Sequence, residues 1–371
     1  MTIKPIGLYV HVPFCVRKCN YCDFCSFPEE SISHSQRAEY IDTLVAEITG
    51  YKREPKIVVD TVFFGGGTPS LLAPSEIERI FTAIGETFEI APDAEITIEA
   101  NPKTLNREKL ELYRKLGINR LSIGLQSIHE NEQKILGRVH NYTDFIDNFN
   151  LARASGFDNI SVDLMYGIPE QTASSFSETL DAVIALQPEH ISAYGLIIEE
   201  GTPFFEMQKS LPLPSEDTEC DMYQLAVEKL SFAGYSHYEI SNYARAGYES
   251  RHNLHYWRLD EYIGVGVAAH SFFDGRRYSN PDSLAEYTTD ARIYAEDTDD
   301  REFEYAMLAF RLAEGISLSD FETKFSHAFT DGREELIARY VDLGYMRRDG
   351  DRLALTDSGM YVSNAILSEL L

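Results

Sequence analysis

The sequence predicts an α/β protein: an open, partial (β/α)6 barrel followed by a small C-terminal α+β module resembling a winged helix. Three observations predict it. Short apolar runs alternate with helical patterns, as a parallel sheet with crossover helices requires. Six such units are readable, short of the eight that close a full barrel. From Glu302 the pattern changes to helix, helix, hairpin, helix. A doubly wound sheet is the rival arrangement.

The strands read as Gly7–Val12, Asp60–Phe64, Glu95–Glu99, Arg120–Gly124, Asn159–Leu164 and His190–Gly195. Ile41, Leu44, Val45 and Ile48 fall at i, i+3, i+4 and i+7 after the first strand, and Ile77, Ile80, Phe81 and Ile84 repeat that spacing after the second. Ser75 with Glu78 resembles a capping box. Further helices fit Arg107–Leu116, Tyr142–Ser155, Ala173–Leu186 and Glu216–Phe232. The C-terminal module reads as helices Phe303–Ala313 and Arg333–Leu343, a hairpin around Asp349-Gly350-Asp351, and a last helix from Thr356. The expected division is a barrel over 1–235, a connecting segment over 236–300 and the module over 301–371.

Composition narrows the function. Of 371 residues, 44% are hydrophobic and 25% charged, which excludes disorder as the main state. No run is long and apolar enough for a membrane span, although peripheral contact stays open. The start, Met1-Thr2-Ile3-Lys4-Pro5, has no apolar h-region. With 33 Lys+Arg against 60 Asp+Glu the net charge is −27, which disfavours a nucleic-acid partner. Residues 301–371 carry 8 basic and 13 acidic side chains, net −5, so the module lacks the basic face of a DNA-binding winged helix. Five cysteines are too few for a disulfide scaffold. Four lie between Cys15 and Cys25, which points to a metal centre in a reducing compartment, hence the cytoplasm.

The strongest signal is His11-Val-Pro-Phe-Cys15-Val-Arg-Lys-Cys19-Asn-Tyr-Cys22-Asp-Phe-Cys25. It follows the first strand at its C-terminal end, the active-site face of a βα barrel. Thiolates suit zinc or iron–sulfur clusters. The spacing C-x3-C-x2-C lets Cys15, Cys19 and Cys22 reach three irons of a cubane and leaves the fourth open. A structural zinc site would use Cys19, Cys22 and Cys25 with His11, but no second ligand pair follows. Cys25 as a fourth ligand would close the open iron; it reads as a free thiol. Other polar residues stand at strand ends. Phe63-Phe64-Gly65-Gly66-Gly67-Thr68-Pro69 lets backbone approach a ligand. Glu99 can accept from an ammonium or a ribose hydroxyl, Arg138 suits a carboxylate, and Asp163 is costly in an apolar strand unless it bonds something.

The cysteine loop resembles the radical S-adenosylmethionine (SAM) superfamily. The string Leu8-Tyr9-Val10-His11-Val12-Pro13-Phe14-Cys15 is similar to its HemN/HemW branch, which holds oxygen-independent coproporphyrinogen III oxidases and heme chaperones. The similarity runs in blocks through about Phe272 and more weakly beyond. It implies a barrel of radical SAM type and a [4Fe–4S] cluster whose open iron is chelated by SAM. It further implies SAM contacts by Tyr9, Gly66, Gly67, Thr68, Glu99, Gln126, Arg138 and Asp163, with the rings of Tyr21 and Phe24 near the adenine or the cluster.

Within that branch the oxidases carry C-x3-C-x2-C-x-C and a long N-terminal extension. Here Phe24 takes the fourth cysteine's place and 14 residues precede Cys15. Both departures resemble the chaperones, as does His252-Asn253-Leu254-His255-Tyr256-Trp257, an H-N-x-x-Y-W string. His252 is a candidate axial ligand to heme, with Asn253, Tyr256 and the lone Trp257 beside it and His270 as a weaker candidate. Cys220 reads as a core thiol. The implied function is heme binding and transfer to an acceptor protein, with an electron donor for the cluster. The alternatives are radical decarboxylation of coproporphyrinogen III, an anaerobic heme-modifying methyltransferase, or a metal-binding scaffold without tetrapyrrole.

Overall fold

The structure is a computed structural model that describes residues 4–288, 292–294 and 301–371. Six parallel strands lie where the sequence places them: β1 (Ile6–Val12), β2 (Val58–Gly66), β3 (Glu89–Ala100), β4 (Arg120–Gln126), β5 (Ile160–Tyr166) and β6 (His190–Gly195). Segment 236–300, expected as a connection, instead supplies strands to both edges of the same sheet. These are β7 (Ser236–Glu239), β8 (Asn242–Ala244), β9 (Tyr262–Val265), β10 (His270–Phe273), β11 (Arg276–Ser279) and β12 (Ile293–Tyr294). The order is β12-β11-β10-β9-β1-β2-β3-β4-β5-β6-β8-β7. β9 runs parallel to β1, so the parallel part holds one strand more than the periodicity shows. β9 escapes a sequence reading because glycines interrupt its apolar run. Among the described residues the sheet's end strands β12 and β7 do not pair, so the barrel stays open.

Alternation explains why the sheet is packed outside yet polar inside. Leu8 and Val10, Val62 and Phe64, Ile96 and Ile98, Leu121 and Ile123, and Val162 and Leu164 face outward into one core. There they meet Ile41, Leu44, Ile48, Ile77, Ile80, Ile84, Phe176 and Leu180 from the helices. Each such side chain contributes about 1.5–3 kcal/mol by leaving water. The inward positions are Tyr9, Phe63, Glu99, Arg120, Ser122, Asp163, His190 and Ser192, which line a cavity of about 330 Å³ inside the sheet. A full βα barrel fills this space with branched apolar side chains.

The helices begin at polar caps: Ser33, Asn106, Asn141, Thr172 and Ser215 each accept from a backbone N–H three residues on. The helix expected to be capped by Ser75 and Glu78 starts two residues earlier, with Ala73 at the cap position. Pro74 takes its first position, and Glu76 accepts from the Ala73 N–H at 2.7 Å.

The C-terminal module has its own core around Phe310, Phe321, Phe329, Leu353 and Leu367. Its first helix, Arg301–Ala309, stops four residues short of expectation. The chain there turns to pair with β7: the Ile240 N–H donates to Arg311 and the Ala313 N–H to Tyr238. Strand Ile316–Ser317 and helix Leu318–Phe325 are additions to the expected plan. The expected hairpin forms from Met346–Asp349 and Arg352–Leu355.

Candidate cofactor site at the mouth of the barrel

The cysteine loop leaves β1 and is pinned at its neck. Phe14–Cys15 pairs with Phe27–Pro28, and the Phe27 N–H donates to Pro13 at 2.7 Å. The Cys25 carbonyl can only accept, so His11 Nε2 carries a proton and donates to it at 2.7 Å. His11 Nδ1 then accepts from the Tyr9 hydroxyl at 3.0 Å. Burial lowers this imidazole to about 4, so it is neutral and fixed in that tautomer. Asn20 anchors the loop's far side through its N–H to Leu136 and its Nδ2 to Ile135.

Two glycines are demanded by this packing. Gly66 has φ +117°, and a Cβ there would lie 2.7 Å from the His11 ring. A Cβ on Gly67 would meet the Phe14 carbonyl at 2.8 Å. The glycine run thus lets the cysteine loop sit on β2 as well as opening backbone to a ligand.

Cys15, Cys19 and Cys22 line one cavity of about 390 Å³ at the C-terminal ends of the strands. Around it stand Tyr21, Phe24, Gly66, Gly67, Thr68, Glu99, Gln126, Arg138 and Asp163. Of the expected SAM contacts only Tyr9 lies outside this wall; it lines the adjoining lower cavity, which shares Gly66, Glu99, Ser122 and Asp163. Burial pushes the Cys22 thiol up to about 11 and raises that of Cys15, which the hydroxyls of Thr68 and Ser26 pull back. Binding to iron would remove those protons. Cys25 faces elsewhere: its Sγ donates to the Asp282 carbonyl at 3.2 Å. With Cys25 and His11 both engaged, the zinc arrangement is not assembled. Among the described residues no three His, Cys, Asp or Glu side chains converge on a single ion. A cubane asks for something else, three sulfurs on one loop reaching three different irons. The donor set fits it.

The polar residues on the wall are poised for a cation. Desolvation pushes Glu99 up to about 8, helped by the nearby Asp163 charge and opposed by the Gly66 N–H, which donates at 3.1 Å. A sulfonium or ammonium there would favour its charged form. Desolvation likewise raises Asp163, against hydroxyl bonds from Ser192 and Ser122. Gln126 ends β4 in a left-handed conformation, φ 71°, where the register with β5 slips; this bulge turns its side chain into the cavity.

Arg138 differs from expectation. Nε donates to His140 Nε2 at 2.9 Å, Nη1 to the Tyr21 hydroxyl at 3.3 Å, and Nη2 to Asn101 Oδ1 at 2.8 Å and the Gly124 carbonyl at 2.7 Å. His140 accepts because burial and the Arg138 charge hold it near 3, neutral. One Nη1 hydrogen is left for a ligand, so a bidentate grip on a carboxylate would displace protein partners. Sequence reasoning missed Asn101, Ser122, Met165, Tyr194 and Ile197, all on the same wall. The position of Asn101, two residues beyond Glu99 at a strand end, is the signal that was there to use.

The H-N-x-x-Y-W string forms the short helix Arg251–Trp257 at the opposite, N-terminal end of the barrel. His252 is 1% exposed. Its Nδ1 is bonded to Thr61 Oγ1 at 2.8 Å and its Nε2 to the Tyr256 hydroxyl at 2.7 Å, and Phe63 stacks on the ring. Burial lowers it to about 3. Asn253 and Tyr256 face the lower cavity, where Arg120 Nε is buried with no hydrogen-bond partner among the described residues. The Trp257 ring is half-buried, and its N–H has no partner among the described residues. Burial alone would lower His255, but Asp260 and Asp60 hold it up at about 9. The structure therefore does not offer His252 as an open axial ligand. His270 stands exposed on β10, and Cys220 is half-buried rather than in the core.

Comparison with known proteins agrees with this geometry. The family model described as "Radical SAM superfamily" matches residues 9–183, and that described as "HemN C-terminal domain" matches 297–362. The solved structure of coproporphyrinogen III oxidase (HemN) from Escherichia coli superposes with TM-score 0.83 at 26% identity, covering 99% of this chain and 90% of that one. An open α/β barrel with its cysteine loop at the strand ends and a HemN-type C-terminal module defines a radical SAM protein of the HemN/HemW branch. The heme chaperone HemW of Lactococcus lactis is 33% identical over 100% of this chain and 98% of its own length. Those of Bacillus subtilis and Escherichia coli are 34% and 35% identical, each over 98% of both chains. The chain belongs to the HemW family. Among the described residues no helix is long and apolar enough to cross a membrane.

Proposed function

We propose that this protein is a cytoplasmic heme chaperone of radical SAM type that hands heme to an acceptor protein. Cys15, Cys19 and Cys22 would hold a [4Fe–4S] cluster, and SAM would occupy its open corner. When bound, the cluster supplies an electron and a Lewis-acidic iron. The chain's own residues do the rest: Glu99 and Asp163 receive positive or hydroxyl groups, Gln126 and Arg138 orient the ligand, and Tyr21 closes one wall. The observation that carries the reading is the convergence of three thiols and these strand-end residues on one cavity. Full-length likeness to relatives named heme chaperones supports the cargo.

For heme itself the mouth is better suited than the floor. Phe24 is 61% exposed and Ile197 68%, and with Tyr194 they form an apolar rim beside Arg17 and Lys18. A flat porphyrin can lie on the rings, and its propionates can meet the two cations. The Arg251–Trp257 helix then serves as the barrel floor. The five free cysteines suit a reducing compartment.

The test is anaerobic reconstitution followed by heme titration, heme transfer to an acceptor, and assay of coproporphyrinogen III. Heme binding without decarboxylation supports the proposal. Decarboxylation with stoichiometric 5′-deoxyadenosine and no heme binding overturns it in favour of the oxidase.

A further inference from the structure

A line of directed hydrogen bonds joins the wall of the cavity to one cluster sulfur. Arg138 can only donate, so the Asn101 atom that receives its Nη2 at 2.8 Å is the amide oxygen. That fixes the other end: Asn101 Nδ2 donates to Thr68 Oγ1 at 3.0 Å. The Thr68 hydroxyl, having accepted, has its own hydrogen free. Its neighbour is Cys15 Sγ at 3.6 Å, which as a thiolate only accepts. Every bond thus points the same way, from guanidinium through amide and hydroxyl to sulfur. The line is tightly packed: a Cβ on Gly124 would lie 3.1 Å from both Arg138 Nη2 and Asn101 Oδ1.

We propose that Asn101 is a positioning residue that aims the Thr68 hydroxyl at the Cys15 sulfur, so that the Arg138–Asn101–Thr68 line tunes the reduction potential of the cluster. Hydrogen bonds to ligating sulfurs stabilise the more negative, reduced cluster, and aligned bonds polarise one another. A residue outside the ligand shell can therefore act on the metal through an oriented partner. Among the described residues Asn101 has no hydrogen bond to a cysteine sulfur; it reaches Cys15 through the Thr68 hydroxyl. The inference rests on the reading of Cys15 as a cluster ligand.

The experiment is a redox titration of the full chain, reconstituted without oxygen and without SAM, followed by the EPR signal of the reduced cluster. Iron content is measured first; wild-type protein that takes up no cluster would defeat the reading of the site itself. In cluster-loaded protein Thr68→Val lowers the midpoint potential, and Thr68→Ser, which keeps the hydroxyl, holds it. Asn101→Leu and the smaller Asn101→Ala each lower it by less than Thr68→Val does. The double variant Thr68→Val/Asn101→Leu falls no further than Thr68→Val alone, because Asn101 acts only through the hydroxyl. An unchanged potential in both Asn101 variants, or shifts that add in the double variant, would overturn the proposal.

Discussion

The two ends of the barrel are built from the same kinds of residue and do opposite things with them. At the mouth, three thiols, a desolvated glutamate and a left-handed glutamine point into a cavity without satisfying one another. At the floor, two histidines are already engaged: His252 is hydrogen-bonded to Thr61 and Tyr256, and His255 is hydrogen-bonded to Asp60 with the Asp260 carboxylate 3.7 Å from its other nitrogen. A side chain's chemistry says what it can bind; its existing partners say whether it is available. The mouth therefore reads as a cofactor site and the floor as a clamp that ties the Arg251–Trp257 helix across β1 and β2.

The largest expected effect separates the cysteines. Cys15→Ala, Cys19→Ala and Cys22→Ala should each abolish cluster assembly, whereas Cys25→Ala should leave iron and sulfide content at the wild-type level. Iron analysis and the visible spectrum check this, and loss of iron in Cys25→Ala would place a fourth sulfur at the mouth.

At the floor, His252→Ala removes a buried ring and two hydrogen bonds. It should cost about 2–4 kcal/mol of unfolding free energy. Heme affinity of the folded fraction should stay unchanged. Denaturant melts with heme titrations test both halves, and a stable variant with weakened heme binding would move the heme to the floor.

Acid and base should also loosen the floor, by different histidines. His252 is depressed to about 3, so the unfolded chain takes up its proton first and stability falls as pH drops below about 6.5. The buried His11 and His140, depressed to about 4 and about 3, act in the same direction. His255 is raised to about 9, so its contribution is full below about 6.5 and is lost as pH climbs through 9. Thermal melts across pH should show the alkaline loss in wild-type protein and its flattening in His255→Gln.

The smallest effect belongs to the rim. Phe24→Ala removes one exposed aromatic face and should weaken heme binding by about 1 kcal/mol, some fivefold, without changing iron content or stability.

Much of this was legible in the sequence. Period-2 and period-3.6 patterns mark the six strands and their helices because one face of each is buried in a common core. Spacing marks the cysteine loop because three thiols on a short segment have few structural uses. Two things could not be read. β9 is short and glycine-interrupted, so its burial comes from β1 and β10 rather than from a pattern of its own. The engagement of His252 depends on Thr61, 191 residues away, and that of Arg138 on Asn101, 37 residues away. Residue type predicted ligands at both places; tertiary partners decided that one is a clamp and the other is nearly full.

The central claim is that the mouth holds a site-differentiated cluster with one corner free. Anaerobically reconstituted protein, reduced and examined by EPR before and after addition of SAM, tests it most directly. The account predicts a [4Fe–4S] signal that changes when SAM is added and is absent from Cys19→Ala. Zinc in place of iron, or a cluster signal indifferent to SAM, would contradict it.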